Sequence, residues 1–371
     1  MLGYYTRKRG KNRMSRFLMV DVGAGTMDIL YHDDKADLCY KAVVKSPVLY
    51  IAEQAAALPG NLLLTGMEMG GGALASILQK RAQSAEVLMT LSAAATIHHN
   101  LDRVKALGIK VVEDKEAESL LHSKKYSTLL LADIDPERIR QIVAGFGVAF
   151  EFDVVGVCVQ DHGAAPAGVS HLDYRHNIFK AALDENPYPQ ATLYREDEVP
   201  AQLSRLCSVA ASCNLLPAGE AYLMDSGMAA ILGASLDLQA LGKQRLLVLD
   251  IATSHTVGAA LLGGELAGFF EYHTRDITLE RLEQLLVDLA DGKLRHDEVL
   301  AEGGHGAYTR KAIGFGDCEV IVATGPKRKL VQNSRLPIIF GAPYGDNMMT
   351  GTTGMLEAIR RRKHMEPMAY L

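Results

Sequence analysis

The stretch Phe17-Leu-Met-Val-Asp21-Val-Gly23-Ala-Gly25-Thr26-Met-Asp28 is answered in the second half of the chain by Leu246-Leu-Val-Leu-Asp250-Ile-Ala252-Thr253-Ser254-His255-Thr256-Val-Gly258. Each is an apolar strand ending in Asp, then a turn of small residues, then another apolar strand. The likeness continues outward. Residues 17–20 and 27–31 read as a hairpin with a third strand at 38–43; residues 246–250, 256–262 and 266–271 read as three strands, the last two joined at Gly263-Gly264. An internal duplication of this kind is more informative than either copy alone.

Between the copies, short apolar runs alternate with helical periodicity. Strands are expected at 62–64, 87–90, 129–132, 154–159 and around Val111. Helices are expected at 49–57, 72–79, 136–143 and 93–107, the last from the spacing of Ile97, Leu101 and Val104. That order is α/β and excludes an all-helical or sandwich fold. The polar segment 171–200, with Pro187, Pro189, Pro200 and the run Glu196-Asp197-Glu198, reads as a connection, and a helix at 201–213 leads out of it. The expected organisation is a disordered basic extension at 1–15, a first domain at 16–170 with extra α/β units, a connecting segment at 171–219 and a second domain at 220–371.

Composition narrows the function. With 371 residues there is room for two ordinary cores. Lys and Arg number 39 against 44 Asp and Glu, a net charge of −5 that offers no general attraction to nucleic acid or an anionic membrane. The five cysteines (Cys39, Cys158, Cys207, Cys213, Cys318) are scattered without zinc or C-x-x-C spacing, which implies reduced thiols and a cytoplasmic setting. No apolar run reaches the roughly 18 residues of a membrane span. The 34 glycines bunch instead of spreading, in and near the two turns, at 66–72 and at 341–354.

The duplicated turn has a direct chemical reading. Small residues let backbone N–H groups approach a phosphate, and Thr26, Thr253, Ser254 and Thr256 add hydroxyls without bulk. Each turn can hold one end of a polyphosphate. Asp21 and Asp250 would bring two carboxylates to one cleft, where a cation such as Mg²⁺, which keeps several waters, relieves their repulsion. For either copy alone, an ordinary hairpin with Asp and Gly chosen for turn geometry is an equal alternative.

At this point the residues resemble a known superfamily. The Asp21 turn, with Gly23, Gly25, Thr26 and Asp28, looks like the first phosphate motif of the superfamily that holds actin, the heat-shock ATPases and the acetate and sugar kinases. The Asp250 turn, with Thr253, Ser254, Thr256 and Gly258, looks like the second. Val320-Ile-Val-Ala-Thr324-Gly325-Pro326 resembles the strand and turn that carry the adenosine, and Gly345-Asp346-Asn347-Met-Met-Thr350-Gly351-Thr-Thr-Gly354 resembles the closing helix, whose small residues allow tight packing at the hinge. The resemblance implies duplicated ribonuclease H-like (actin-like ATPase) domains with a nucleotide cleft between them, ATP and Mg²⁺ as cofactors, and Asp21 and Asp250 as the metal carboxylates. Asp225-Ser-Gly-Met-Ala229-Ala230 is similar to the segment where glycerol-type sugar kinases place their base, which implies a catalytic role for Asp225. An N-cap for the following helix is the competing role.

A second resemblance is to a bacterial and archaeal family described as pyruvate formate-lyase activating enzymes, carried by Leu64-Thr65-Gly66-Met-Glu-Met-Gly70-Gly71-Gly72, Thr96-Ile-His98-His99-Asn100-Leu, Val159-Gln160-Asp161-His162-Gly163 and Gly345-Asp346-Asn347-Met-Met-Thr-Gly. Radical activating enzymes carry a C-x-x-x-C-x-x-C triplet for an iron–sulfur cluster, and this sequence has none. Asp161 and His162 follow a β run, where ligands of α/β sheets gather, so Asp161 is a second catalytic candidate. His98 and His99, adjacent on an expected helix, would face different ways. The functions these features allow are a phosphotransferase acting on a hydroxyl or carboxyl group of a small substrate, an ATPase that switches a partner protein, and a nucleotide-binding module without turnover. Patches around the second half are compatible with a homodimer.

Overall fold

The computed structural model describes residues 15–166 and 168–370. The basic extension expected at 1–15 therefore lies, apart from Ser15, outside the described residues. The chain opens with strands β1 (Arg16–Val22), β2 (Thr26–Asp33) and β3 (Leu38–Lys45), then α1 (Pro47–Ala57). An inserted unit follows: β4 (Asn61–Gly66), α2 (Leu74–Arg81), β5 (Val87–Thr90), α3 (Leu91–Ala94), α4 (Leu101–Ala106), β6 (Lys110–Val112), α5 (Asp114–Leu121) and β7 (Tyr126–Leu131). The first sheet resumes through α6 (Pro136–Gly145), β8 (Phe152–Val159), α7 (His171–Glu185), β9 (Tyr194–Arg195), α8 (Ser204–Cys213) and β10 (Ala218–Asp225), and closes with α9 (Ser226–Ala234). The second half runs through β11 (Arg245–Ile251), β12 (His255–Leu262), β13 (Glu265–His273), α10 (Leu279–Ala290), α11 (His296–Ala301), β14 (Gly306–Thr309), β15 (Val320–Thr324), β16 (Ile338–Phe340) and α12 (Thr350–Arg362).

The duplication holds for five strands of each sheet, while the sixth lies at opposite edges, β9 beside β10 and β14 beside β13. The first sheet has the order β3-β2-β1-β8-β10-β9 and the second β14-β13-β12-β11-β15-β16. In each, a three-stranded antiparallel meander is extended by two strands parallel to its first member, β8 and β10 beside β1, β15 and β16 beside β11. This is the ribonuclease H-like arrangement, twice. The inserted unit builds a separate four-stranded parallel sheet, β6-β5-β4-β7. Parallel strands need both faces covered, and Leu62, Leu64 and Met89 pack in a core distinct from that of the two large sheets.

The halves join through two helices. Helix α12, last in the chain, packs on β1 and β8 of the first sheet, while α9 packs on β11 and β12 of the second. They cross at backbone contact: a Cβ on Gly233 would lie 1.9 Å from the Thr350 carbonyl, and one on Gly354 would lie 1.9 Å from that of Ala229. The close packing expected of the closing helix is present, and one hydrophobic cluster runs from Phe17 and Met19 through Ala229 and Met355 to Val248 and Val322.

Two local expectations are corrected. The helix expected at 93–107 is two short helices: Thr90 starts α3 early, through Ala93 N (3.3 Å), and Asn100 begins α4 anew through Asp102 N (2.9 Å). Side-chain acceptors of this kind offer the backbone an alternative to helix continuation. His98 and His99 lie in the irregular stretch between them. The polar segment beginning at residue 171 holds a fifteen-residue helix, α7, capped by Ser170, that buries Arg175, Phe179 and Leu183. Among the described residues, no helix is long and apolar enough to cross a membrane.

Candidate functional site

Each duplicated turn closes in the same way. Gly23 N donates to Thr26 O at 3.0 Å, and Ala252 N donates to His255 O at 3.0 Å. The residue after each meander then clamps its own turn. Ser46, following β3, donates its hydroxyl to Gly23 O (2.6 Å) and its N–H to Gly25 O (3.1 Å). Thr274, following β13, donates its hydroxyl to Ala252 O (2.8 Å) and its N–H to Ser254 O (2.8 Å). Ser46 also caps α1 through Val48 N. These clamps escape a reading of the turns alone, because they lie about twenty residues downstream and meet the turn only through strand pairing.

The turns face one another across a cavity of about 550 Å³, within the usual size for a small-molecule site. A Cβ on Gly25 would come within 3.0 Å of the Thr253 side chain, so the absence of one sets how closely the halves approach. Of the residues expected to bind, Asp21, Gly23, Gly25, Thr26, Asp28, Asp250, Thr253, Ser254, Gly325 and Pro326 line the cavity, as does Asp161. Gly325 takes φ +87° and sits against Ile251 O, and Asn347 donates to its carbonyl at 3.1 Å.

Four expected residues do not reach the cavity wall. Thr256 is fully buried and its hydroxyl is 3.0 Å from that of Thr274. Its neighbour His255 takes the place that Thr26 has in the first copy, because the turns have equal length. Gly258 makes room for Phe270, whose ring atoms would stand 2.4 Å from a Cβ there. Thr324 is buried and donates to Asp250 Oδ1 at 2.9 Å, orienting that carboxylate. Asp225 is 2% exposed; Oδ1 caps α9 through Met228 N (3.1 Å) and Oδ2 accepts from Arg175 at 2.9 Å. Its competing role as an N-cap is what the geometry displays.

Asp161, although in the wall, has a similarly occupied carboxylate. Oδ1 accepts from Gly163 N (2.7 Å) and Oδ2 from Leu206 N (2.9 Å), so it fixes the 161–163 turn against α8.

Three other carboxylates share the cavity wall, although their oxygens do not all come within 4.8 Å of one another. Asp21 and Asp28 are directly opposite across the β1–β2 pair, and both face the cavity with Asp250. Burial, with Asp250 adding to it, pushes Asp21 up to about 7; burial, then Asp21, pushes Asp28 up to about 8; and burial lifts Asp250 to about 6 against the pull of the Thr324 hydroxyl. Asp28 Oδ1 is buried without a hydrogen-bond partner. Buried carboxylates spaced around one cavity fit a hard divalent cation that keeps its waters.

The far end of the cavity belongs to the insert and to α8. Glu68, Gly70, Gly71, Thr96, His98 and His99 line it with His162, His171 and Arg205. His99 Nε2 is 3.0 Å from Glu68 Oε1, and Arg205 pairs with buried Asp133 through Nε (2.7 Å) and Nη2 (2.8 Å). Both histidines thus reach the cavity, where the helical reading of that segment has them facing different ways. Gly70 and Gly71 let the loop lie against Arg205 and Thr96 O, contacts that a Cβ would bring to 2.8 and 2.6 Å.

A family model described as "Putative pyruvate format-lyase activating enzyme (DUF1786)" matches residues 69–330. The chain belongs to that family. Its matched span takes in the second turn, β15 and, apart from Glu68, the residues named at the far end of the cavity. No curated protein matches the sequence. Among solved structures, the chain is similar to the ethanolamine utilization protein EutJ from Carboxydothermus hydrogenoformans (11% identity, 93% of this chain and 90% of that one, TM-score 0.33). It is also similar to the ROK hexokinase from Thermus thermophilus (13%, 94% and 99%, 0.30) and to a Bacteroides thetaiotaomicron protein with an actin-like ATPase fold (9%, 93% and 95%, 0.35). Among the described residues, no group of cysteines gathers at ligand distance, and all five thiols are free.

Proposed function

We propose that the protein binds Mg-ATP between its two turns and acts as an ATP-dependent phosphotransferase on a small substrate bearing a hydroxyl or carboxyl group, in the cytoplasm. The observation that carries this reading is the pair of identically clamped turns, facing each other over three carboxylates in one cavity. Backbone N–H groups of the 23–25 and 252–254 turns would receive the phosphates, and Gly325, Pro326 and Asn347 the adenosine side. Asp21 and Asp250 would hold the cation through its waters with Asp28 beside them, and the unpartnered Asp28 oxygen fits that role. Bound there, Mg²⁺ would supply positive charge against the polyphosphate. The polar end lined by Glu68, His99 and Arg205 gives an acceptor a place to sit, and phosphoryl transfer depends on such positioning more than on a strong base.

One observation favours a second reading, an ATPase that switches a partner protein. Both oxygens of Asp161 and of Asp225 already accept hydrogen bonds, which stabilise the charged form and make either a poorer base, and Asp225 does not line the cavity. The readings separate in one assay: ADP production by the purified protein with Mg-ATP alone, and then with a panel of small hydroxyl and carboxyl compounds. A phosphotransferase is expected to stay near background until an acceptor is present, and a switch to turn over slowly without one. Absence of Mg-ATP binding by calorimetry would remove both.

A further inference from the structure

Beside the second turn, three adjacent strands place three imidazoles together. His255 at the start of β12 is paired directly with His273 at the end of β13, and His305, just before β14, donates its N–H to Glu271 O at 2.8 Å. The ring centroids are 4.6 Å (His255–His273), 4.7 Å (His255–His305) and 4.3 Å (His273–His305) apart. One ring nitrogen from each lies within 4.8 Å of the other two. His255 Nε2 and His305 Nδ1 are buried with no hydrogen-bond partner, and the His305 side chain is only 7% exposed. Most buried polar atoms in proteins are hydrogen-bonded, and two unpartnered nitrogens in one three-imidazole cluster leave donor atoms available to a ligand.

We propose that His255, His273 and His305 bind a transition-metal cation of the zinc class. Imidazole donors select such a cation over Mg²⁺, which prefers oxygen. A tetrahedral ion at the usual zinc–nitrogen distance would draw the donor atoms to about 3.3 Å from one another, a movement within reach of ring rotation. Three protein donors leave one coordination position open. His255 is the member that lines the cavity, so the site borders the space beyond the second turn. Glu271, whose Oε1 is 3.6 Å from His305 Nδ1, adds negative charge beside the site and is itself held by Arg175 and Gln160. The site is separate from the Asp21, Asp28 and Asp250 carboxylates and does not rest on nucleotide binding.

The test uses the tag-free full-length protein, stripped with a chelator and free of nucleotide. Titration with Co²⁺ is expected to give one equivalent with visible absorption of tetrahedral type, displaced by Zn²⁺ and not by millimolar Mg²⁺. His273→Gln and His305→Gln should each weaken Zn²⁺ binding at least about tenfold and abolish the rise in thermal midpoint that Zn²⁺ gives the parent. No stoichiometric binding by the parent, or unchanged affinity in both variants, would overturn the site. If either variant fails to fold, histidine-ring NMR of the parent decides: Zn²⁺ must move the resonances of these three residues, and movement confined to other histidines overturns the proposal.

Discussion

Gly351, in the first turn of α12, lies against Asp21 at the end of β1 so closely that a Cβ on Gly351 would stand 1.9 Å from Asp21 Oδ2. The other oxygen, Oδ1, accepts from Ser226 Oγ at 2.7 Å. The carboxylate is thus seated between the first turns of α12 and α9, the helices that join the halves. Gly351→Ala must displace either Asp21 or the helix. It is expected to weaken Mg-ATP binding while leaving the fold measurable by circular dichroism, and unchanged affinity by calorimetry would show that Asp21 does not matter to the ligand.

Asp21→Asn and Asp250→Asn keep the shape and remove the charge. Truncating one partner of a buried charge interaction typically costs about 2 kcal/mol or more, so each variant should bind Mg-ATP roughly thirtyfold more weakly. Because burial already raises both carboxylates, the apo variants should be at least as stable as the parent. Thermal midpoints without nucleotide check that second expectation.

Asp225→Ala tests the opposite case. Removal leaves the buried Arg175 with one fewer anion and α9 without its cap, and breaking a buried pair costs about 3 kcal/mol or more. A large loss in urea denaturation is expected, with ATP affinity of the folded protein close to the parent. A stable variant that had lost only turnover would restore Asp225 as a base.

Gly354→Ala presses a methyl group into the α9 backbone. Overpacking of this kind costs about 1–3 kcal/mol, and here the obstacle is a carbonyl that cannot rotate away. The thermal midpoint should fall, and a neutral result would mean that the two helices are not held at this distance.

His99 is held above the ordinary imidazole value of 6.5 by its hydrogen bond to Glu68. A raised imidazole pKa means that the pair stabilises the fold fully below the unfolded value and that this contribution is lost as pH rises through the folded one. Glu68→Gln should therefore lower the His99 titration seen by NMR. An unmoved titration would separate the two residues.

Much of the fold was legible because its signals are local. Apolar strands, an acidic residue at the strand end and a turn of small residues recur within a dozen positions, and the same steric rules shape both copies. The run from Ile97 to Val104 shows the limit: its spacing is helical, yet the side-chain acceptor of Asn100 inside it starts a new helix at Leu101. Helix α7 shows the converse, since its polar sequence hides Arg175, which is buried only because Asp225 and Glu271 arrive from distant strands.

The sequence by itself determined the duplication, the α/β class and the two Asp-ended turns, since each depends on neighbours along the chain. Only the tertiary structure decided which polar groups remain available. Strand register sets Asp28 opposite Asp21, and Leu206 N and Arg175, from elsewhere in the chain, bond the second oxygens of Asp161 and Asp225. Equal turn lengths put His255 where the first copy has Thr26, and three strands bring it to His273 and His305. Whether a carboxylate or imidazole keeps an atom for a ligand depends on the partners that hold its other atoms, and those lie far away in sequence.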